Sequence, residues 1–353
     1  MSLSPEYVAN LAAKVVGLYQ DAERVLLERI ARALAADMDA PDWAERKLLQ
    51  VQLLQAQTVQ QVAALSGRAA EEVAAAVLAA YNRGAAMAVQ DLADLAAGVA
   101  PVPPAGLPAV EAMVTETVGG LRAADSRILR TVDDVFREVV AATAPQVLLG
   151  TQTRREAAQS ALDRFASRGV TGFRSADGRQ WALESYVEMS MRASTMNAAV
   201  AGHTGRLVAA GQDLVVVSDA PQECKVCRPW EGKVLSLSGA PRADGVRVAG
   251  TLDEARRAGL FHPGCRHSVS LYQHGITKTP TRTADPDGDA ARRKLRYLER
   301  KTREWKRREA VALDDQAARA ARVKVRGYQA AIRGHVGTTS AKRQPARERL
   351  GTL

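Results

Sequence analysis

Aromatic residues make up only 4% of this 353-residue chain, and cysteine and histidine occur three and five times. Three cysteines cannot pair completely, which argues against a disulfide framework and suits a reducing compartment or assembly in a bacterial cytoplasm. No stretch reaches eighteen consecutive apolar residues, so no membrane span is expected. The opening run Met1-Ser2-Leu3-Ser4-Pro5-Glu6-Tyr7 lacks the basic and apolar regions of a secretory leader. Catalytic signatures are missing too: there is no G-x-S-x-G turn, no GxxxxGK(S/T) loop and no H-E-x-x-H helix. His203 stands beside Thr204 and Gly205 at a helix end, where a surface or capping role fits better than a base. His274 and His335 lie near loops with no obvious carboxylate partner. The chain reads as a non-enzyme.

What remains is rich in Ala, Leu and Val, a composition that favours helices packed through small side chains, in a chain long enough for two or three domains. The expected fold is mainly α. An N-terminal helical region spans 1–100, a linker with connecting helices 101–150, a small α+β domain 151–275 and a basic helical tail 276–353. Ser4-Pro5 reads as a helix start, and Val8, Leu11, Val15 and Leu18 recur at helical spacing through Ile30. Asp39-Ala40-Pro41-Asp42 is a break. A second helix carries Leu48 to Leu65, with an outer face of glutamines from Gln50 to Gln61. Ser66-Gly67 is read as a further break before a third helix through Val73, Val77 and Tyr81. This region suits either a bundle core with a solvated face or a docking surface.

Pro101 to Pro108 reads as a stiff connector. Helices are expected at 110–121 and 126–142, with Pro145 and Gly150 punctuating the next join. Thr153 caps a helix through Ala157, Leu162 and Phe165, and 169–178 suggests a short hairpin. A long helix follows over 181–210, in which Glu188 and Arg192 stand four apart as an ion pair. Leu214-Val215-Val216-Val217 is a short buried strand that delivers the chain to Cys224.

All three cysteines fall between Cys224 and Tyr272. Cys224-Lys225-Val226-Cys227 has the spacing with which two thiolates hold one metal ion, the usual first half of a structural zinc site. His262-Pro263-Gly264-Cys265-Arg266-His267 offers three candidates for the second half: His262, Cys265 and His267. Pro263 and Gly264 favour a tight turn that lets its neighbours converge. Between the clusters, Trp230-Glu231-Gly232-Lys233 is a polar turn leading into a strand, with Trp230 in a structural role. The favoured reading is a structural zinc held by Cys224, Cys227, Cys265 and one of the two histidines. A packed, hydrogen-bonded thiol–imidazole cluster and a redox role are the alternatives.

The run Cys-x-x-Cys-x-x-Trp-Glu-Gly-Lys-Val-x-Ser, followed by Gly259-Leu260-Phe261-His262-Pro263-Gly264-Cys265-Arg266-His267, resembles tailed-phage minor capsid proteins. These are the phage minor capsid protein 2 family and the related Mu F-like minor head proteins. In that family the second motif usually reads His-Pro-Asn-Cys-Arg, and Gly264 replaces the Asn here. The resemblance covers about residues 150–350, with the N-terminal third matching only in being helical. It implies a Mu F-like character for the α+β domain and places Arg192 at the family's helix arginine, as an anchor of that helix to the Cys–His loop. It further implies a virion component near the portal, acting in head assembly, DNA packaging or delivery, with portal, major capsid or scaffold protein as partner.

Charge is unevenly placed. From Ile276 onward 21 Lys and Arg face 9 Asp and Glu, so the chain's +10 divides into +12 in the tail and −2 before it. A linker is expected over 278–289. A helix follows whose apolar stripe, Leu295, Leu298, Thr302 and Trp305, is surrounded by Arg292, Arg293, Lys294, Arg296, Arg300, Lys301, Arg303, Lys306, Arg307 and Arg308. A second helix, 314–332, repeats the pattern with Arg319, Arg322, Lys324 and Arg326, and the Tyr328-Gln329-Ala330-Ala331-Ile332-Arg333 stretch extends the resemblance. Cationic faces of this kind suit packaged DNA through its phosphates, an acidic capsid partner, or simply solvent. No base-reading fold signature accompanies them. Two readings from other classes stay open: a cellular zinc-containing nucleic-acid-binding module, and a metal-dependent hydrolase using the Cys–His cluster.

Overall fold

The computed structural model describes residues 5–94, 107–148, 152–168, 173–174, 180–220, 222–240, 245–279 and 285–351. Within them the chain is mainly helical: α1 Pro5–Ala35, α2 Trp43–Asp94, α3 Leu107–Leu148, α4 Arg154–Arg168, α5 Leu183–Ala209, α6 Leu252–Arg257, α7 Pro286–Ala310 and α8 Asp315–Gly337. Strands β1 (Phe173–Arg174) and β2 (Gln180–Trp181) form one antiparallel pair, and β3 (Leu214–Val217), β4 (Val234–Ser236) and β5 (Val269–Leu271) form a three-stranded sheet. No helix among the described residues is long and apolar enough to cross a membrane.

Several boundaries fall where the sequence puts them. The break at 39–42 separates α1 from α2, and Thr153 caps α4 in a reciprocal box: its hydroxyl accepts from Glu156 N at 3.2 Å while Glu156 accepts from Thr153 N at 2.8 Å. Others do not. α2 runs unbroken through Ser66-Gly67, because one glycine costs a helix only about 1 kcal/mol and strong formers surround it. α3 is likewise one helix across 122–125 and onward through Pro145 to Leu148. Trp181 belongs to β2 rather than α5, and α7 begins at Pro286, inside the expected linker. Ser4, the connector at 101–106, Gly150, the hairpin turn at 175–179 and the linker residues 280–284 lie outside the described residues.

The chain divides into two compact units, each built from three separated segments. The first holds 1–14, 70–119 and 188–290. Its sheet has the order β4-β3-β5, with Val215 opposite both Leu235 and Leu271. All four residues of the central strand, Leu214 and three β-branched valines, are buried, as apolar side chains with neighbouring strands on both edges require. Beside the sheet, the 70–94 part of α2 crosses α5 through two glycines. A methyl group on Gly84 would overlap the Ala199 carbonyl, and one on Gly202 would overlap that of Tyr81. The two helix backbones therefore touch. Near this crossing, His203 Nε2 lies 3.0 Å from Asp91 Oδ2, which also accepts the Leu271 amide at 3.0 Å, tying α2 and α5 to the sheet edge.

The second unit holds 15–69, 120–187 and 291–353. Tyr19, Leu26, Leu27, Ile30, Leu34 and Trp43 are buried at its centre, with the Trp43 indole donating to Leu34 O at 3.0 Å. Ser66 donates to the buried Asp125 of α3, giving the expected break residue a helix-to-helix tie instead. α7 and α8 pack through Ala291, Leu295, Leu298 and Ile332, as the apolar stripe anticipates.

The cationic surround of that stripe is not all surface. Arg303 and Arg307 are each 4% exposed and converge on buried Glu184, at 2.7 and 3.3 Å. Arg307 also donates to Ala166 O at 2.9 Å, and Arg303 to Arg347 O. Of the ten expected polyanion contacts, these two are therefore corrected to buried ion-pair partners. A remote carboxylate, supplied by the start of α5, reaches them inside the fold. Arg296 pairs with Glu299 at 2.7 Å, and Lys301 and Arg308 both reach Glu304, at 2.6 and 3.2 Å. Five of the ten cations of α7 are thus engaged by carboxylates within the chain.

Candidate metal centre

The Cys–His cluster assembles from two loops of the first unit. Cys224 to Cys227 forms a tight turn in which Cys227 N donates to Cys224 O at 3.2 Å. The chain continues into a single 3-10 turn, Arg228–Trp230, braced by Arg228 donating to buried Glu223 at 2.5 Å. The half-buried Trp230 accepts from Lys233 N through its carbonyl, closing the turn before β4. The second loop follows α6, whose start is fixed by a Thr251–Glu254 capping box. In it, Cys265 N donates to His262 O at 2.8 Å. Pro263 and Gly264 occupy the central positions of this turn, and Gly264 has φ +92°. A positive φ at that position is the mark of a type II turn, and glycine and asparagine are the residues that tolerate it best. The departure from the family motif at Gly264 is thus conformationally neutral.

Both loops enter the cluster under backbone strain. Gln222 (φ +66°) precedes Cys224 by two residues, and Phe261 (φ +63°) sits directly before His262. A left-handed phenylalanine is costly and persists only where its surroundings over-determine it. Gly259 supplies the close approach: a Cβ there would lie 2.6 Å from Val226 Cγ1 of the first loop.

Five ligand-type side chains meet where the loops touch. Cys224 Sγ lies 3.0 Å from His262 Nε2, Cys227 Sγ 3.6 Å from Cys265 Sγ, and Cys265 Sγ 3.4 Å from His267 Nδ1. Two groups, Cys224–Cys227–His262 and Cys227–Cys265–His267, each have all ligand atoms within 4.8 Å of one another. All three cysteines are free thiols, and 3.6 Å is far beyond the ~2.05 Å of a disulfide. A tetrahedral zinc with bonds of about 2.3 Å to sulfur and 2.0–2.1 Å to nitrogen would set S–S edges near 3.8 Å and S–N edges near 3.5 Å. The donors fit that ion in type, and the Cys227–Cys265 and Cys265–His267 separations match those edges; among the described residues the close spacing holds within each group of three that shares Cys227.

The surroundings fit it as well. His267 Nε2 meets Glu231 Oε1 at 2.7 Å, both side chains 1% exposed, while His262 Nδ1 meets Pro263 O at 2.9 Å. Each imidazole thereby has one nitrogen engaged and turns the other toward sulfur, the arrangement that orients metal-binding histidines. Electrostatics favour thiolate. The Cys265 thiol is pulled down to about 4, first by the hydrogen bond from Cys227 and then by His267, against the effect of burial. Cys227, holding the shared proton, moves up. On both histidines burial disfavours the charged ring, but the sulfurs of Cys224 and Cys265 outweigh it and raise His262 and His267.

Sequence reasoning brought together all five of these side chains and missed Glu231, which holds His267 and also accepts the Ala220 amide at 3.2 Å. A lone acid in a polar turn carries no spacing signal. Its burial alone distinguishes it. Of the remaining site residues, Glu188 and Arg192 pair at 3.6 Å along α5.

No curated protein and no solved structure matches the chain. A family model does, described as Phage minor capsid protein 2, over residues 3–337. That match takes in the N-terminal helices, which the residue motifs alone did not reach.

Proposed function

The chain belongs to the phage minor capsid protein 2 family, and from that premise we propose that it is a structural component of a tailed-phage head, seated near the portal and serving assembly, DNA packaging or delivery. Its role is mechanical rather than catalytic. The family match along nearly the whole chain carries this reading, because it covers helices and Cys–His unit together. Fluorescent or affinity-tagged chain, co-expressed with the portal and major capsid proteins of its phage, should co-purify with portal. Recovery with capsid shells that lack a portal would move it away from that vertex.

Within that role the Cys–His cluster holds a structural zinc. Its ligands are read as Cys224, Cys227, His262 and Cys265, because Cys224–Cys227 and His262–Cys265 each begin and end a four-residue turn closed by an amide of the fourth residue donating to the carbonyl of the first. Bound metal would supply charge neutralisation and a four-way crosslink between the loops, with no open position for chemistry. His267 then acts behind Cys265, held by Glu231. Elemental analysis separates the two histidines: His262→Ala should lose the zinc, and His267→Ala should keep most of it at lower stability. The reverse pattern would exchange their roles. The basic tail helices are read as meeting a polyanion, packaged DNA ahead of an acidic capsid surface.

A further inference from the structure

Ion pairs within the chain engage half of the α7 cations, whereas α8 presents an exposed cationic stripe. At 3.6 residues per turn, Arg319, Arg322, Arg326 and Arg333 fall within an arc of about 60° on one face. All four are exposed, whereas Ala321, Val325 and Ile332, centred about 110° around the helix from them, are buried. Only Arg322 has an ion-pair partner among the described residues, Glu309 at 3.5 Å, and both of those side chains stay well solvated. Asp315 lies on the same face one turn earlier, so the cationic stripe begins at Arg319.

A second feature accompanies the arginines. Gly327, Gly334 and Gly337 lie on the outer side of α8, and a Cβ at any of them would meet nothing within 4 Å. Packing inside this chain does not require them, although glycine weakens a helix interior. With Ala330 they form a low ridge beside the arginines over which another molecule can come close. Val323 is the one large apolar side chain exposed on this helix.

We propose that this face of α8 is a sequence-independent site for the phosphate backbone of duplex DNA. The inference rests on the polyanion reading above and assigns its location and its chemistry. Protein interfaces draw on clustered aromatic and apolar anchors at their centres, whereas Val323 stands here as a single exposed one beside four arginines and phosphate contact needs only presented cations. From Arg319 to Arg333 the helix advances about 21 Å. One DNA strand carries about six phosphates over that length.

The test is fluorescence anisotropy of a short random-sequence DNA duplex titrated with the full chain at several salt concentrations. Four phosphate contacts predict a log–log salt slope near −3.6, about a hundredfold loss of affinity for a fourfold rise in salt. The R319Q/R322Q/R326Q/R333Q variant should lose most of that slope and bind at least tenfold more weakly at low salt, with its circular dichroism unchanged. R68Q/R83Q, two exposed arginines on α2 outside the basic tail, should bind as the parent does. Parent-like binding by the α8 variant overturns this proposal and leaves the DNA reading standing on other residues. No binding by the parent at low salt overturns both. Binding of polyglutamate but not of DNA identifies an acidic protein as the partner and overturns it as well.

Discussion

At the scale of single residues, the chemistry of the first unit is concentrated in a few side chains that are rare in the rest of the chain. That rarity made the cluster legible: three cysteines and two histidines in two short motifs leave few other uses for those residue types. Glu231 was not legible, because nothing in Trp230-Glu231-Gly232-Lys233 says that the acid turns inward to His267. Replacing it by alanine strands a buried imidazole nitrogen and the Ala220 amide, so Glu231→Ala should cost about 2–3 kcal/mol in denaturant unfolding. An unchanged midpoint would mean that water replaces the carboxylate without loss. Arg303 and Arg307 teach the converse. Charge periodicity placed them on a surface, while Glu184, more than a hundred residues earlier, takes them inside.

That trio has a pH signature. Burial acts to raise the Glu184 carboxyl, but Arg303 and then Arg307 more than offset it and hold the group below its ordinary 4.5. A carboxylate held low in the folded state contributes stability that is complete above its unfolded value, about 4.3, and is lost as pH falls through the folded one. Glu184→Gln should therefore flatten the acid limb of the stability curve and, at neutral pH, cost about 3–5 kcal/mol by leaving guanidinium groups buried without a counter-charge. Urea titrations from acid to neutral pH provide the comparison. A variant as acid-sensitive as the parent contradicts the assignment.

At the scale of elements, glycine has opposite meanings on different helices. Gly84 and Gly202 sit where α2 and α5 touch backbone to backbone, and Gly327 and Gly334 sit on the open side of α8. The same substitution should then change sign with position. Gly84→Ala and Gly202→Ala should each destabilise by at least 1–3 kcal/mol, the usual cost of overpacking. Gly327→Ala should stabilise by up to about 1 kcal/mol. Thermal melts of the three variants decide it, and a uniform sign would deny the helix contact. None of this is visible from sequence, where all four glycines merely interrupt helical runs. Ser66-Gly67 reads as a break in sequence for that reason, yet propensity alone is too weak to stop a helix held by tertiary ties such as Ser66 to Asp125.

At the scale of the whole molecule, mainly helical architecture and a small sheet next to a Cys–His cluster follow from composition and motif together. The assembly of each unit from three separated segments does not, since it depends on contacts between residues far apart in the chain. Family membership places the protein among phage capsid components. The most direct measurement is elemental analysis of the gently purified full chain beside its Cys265→Ala variant. The account predicts one zinc per parent chain, little in the variant, and a matching fall in melting temperature when the parent is stripped with chelator. A parent chain free of zinc that melts at the same temperature with and without chelator would contradict it.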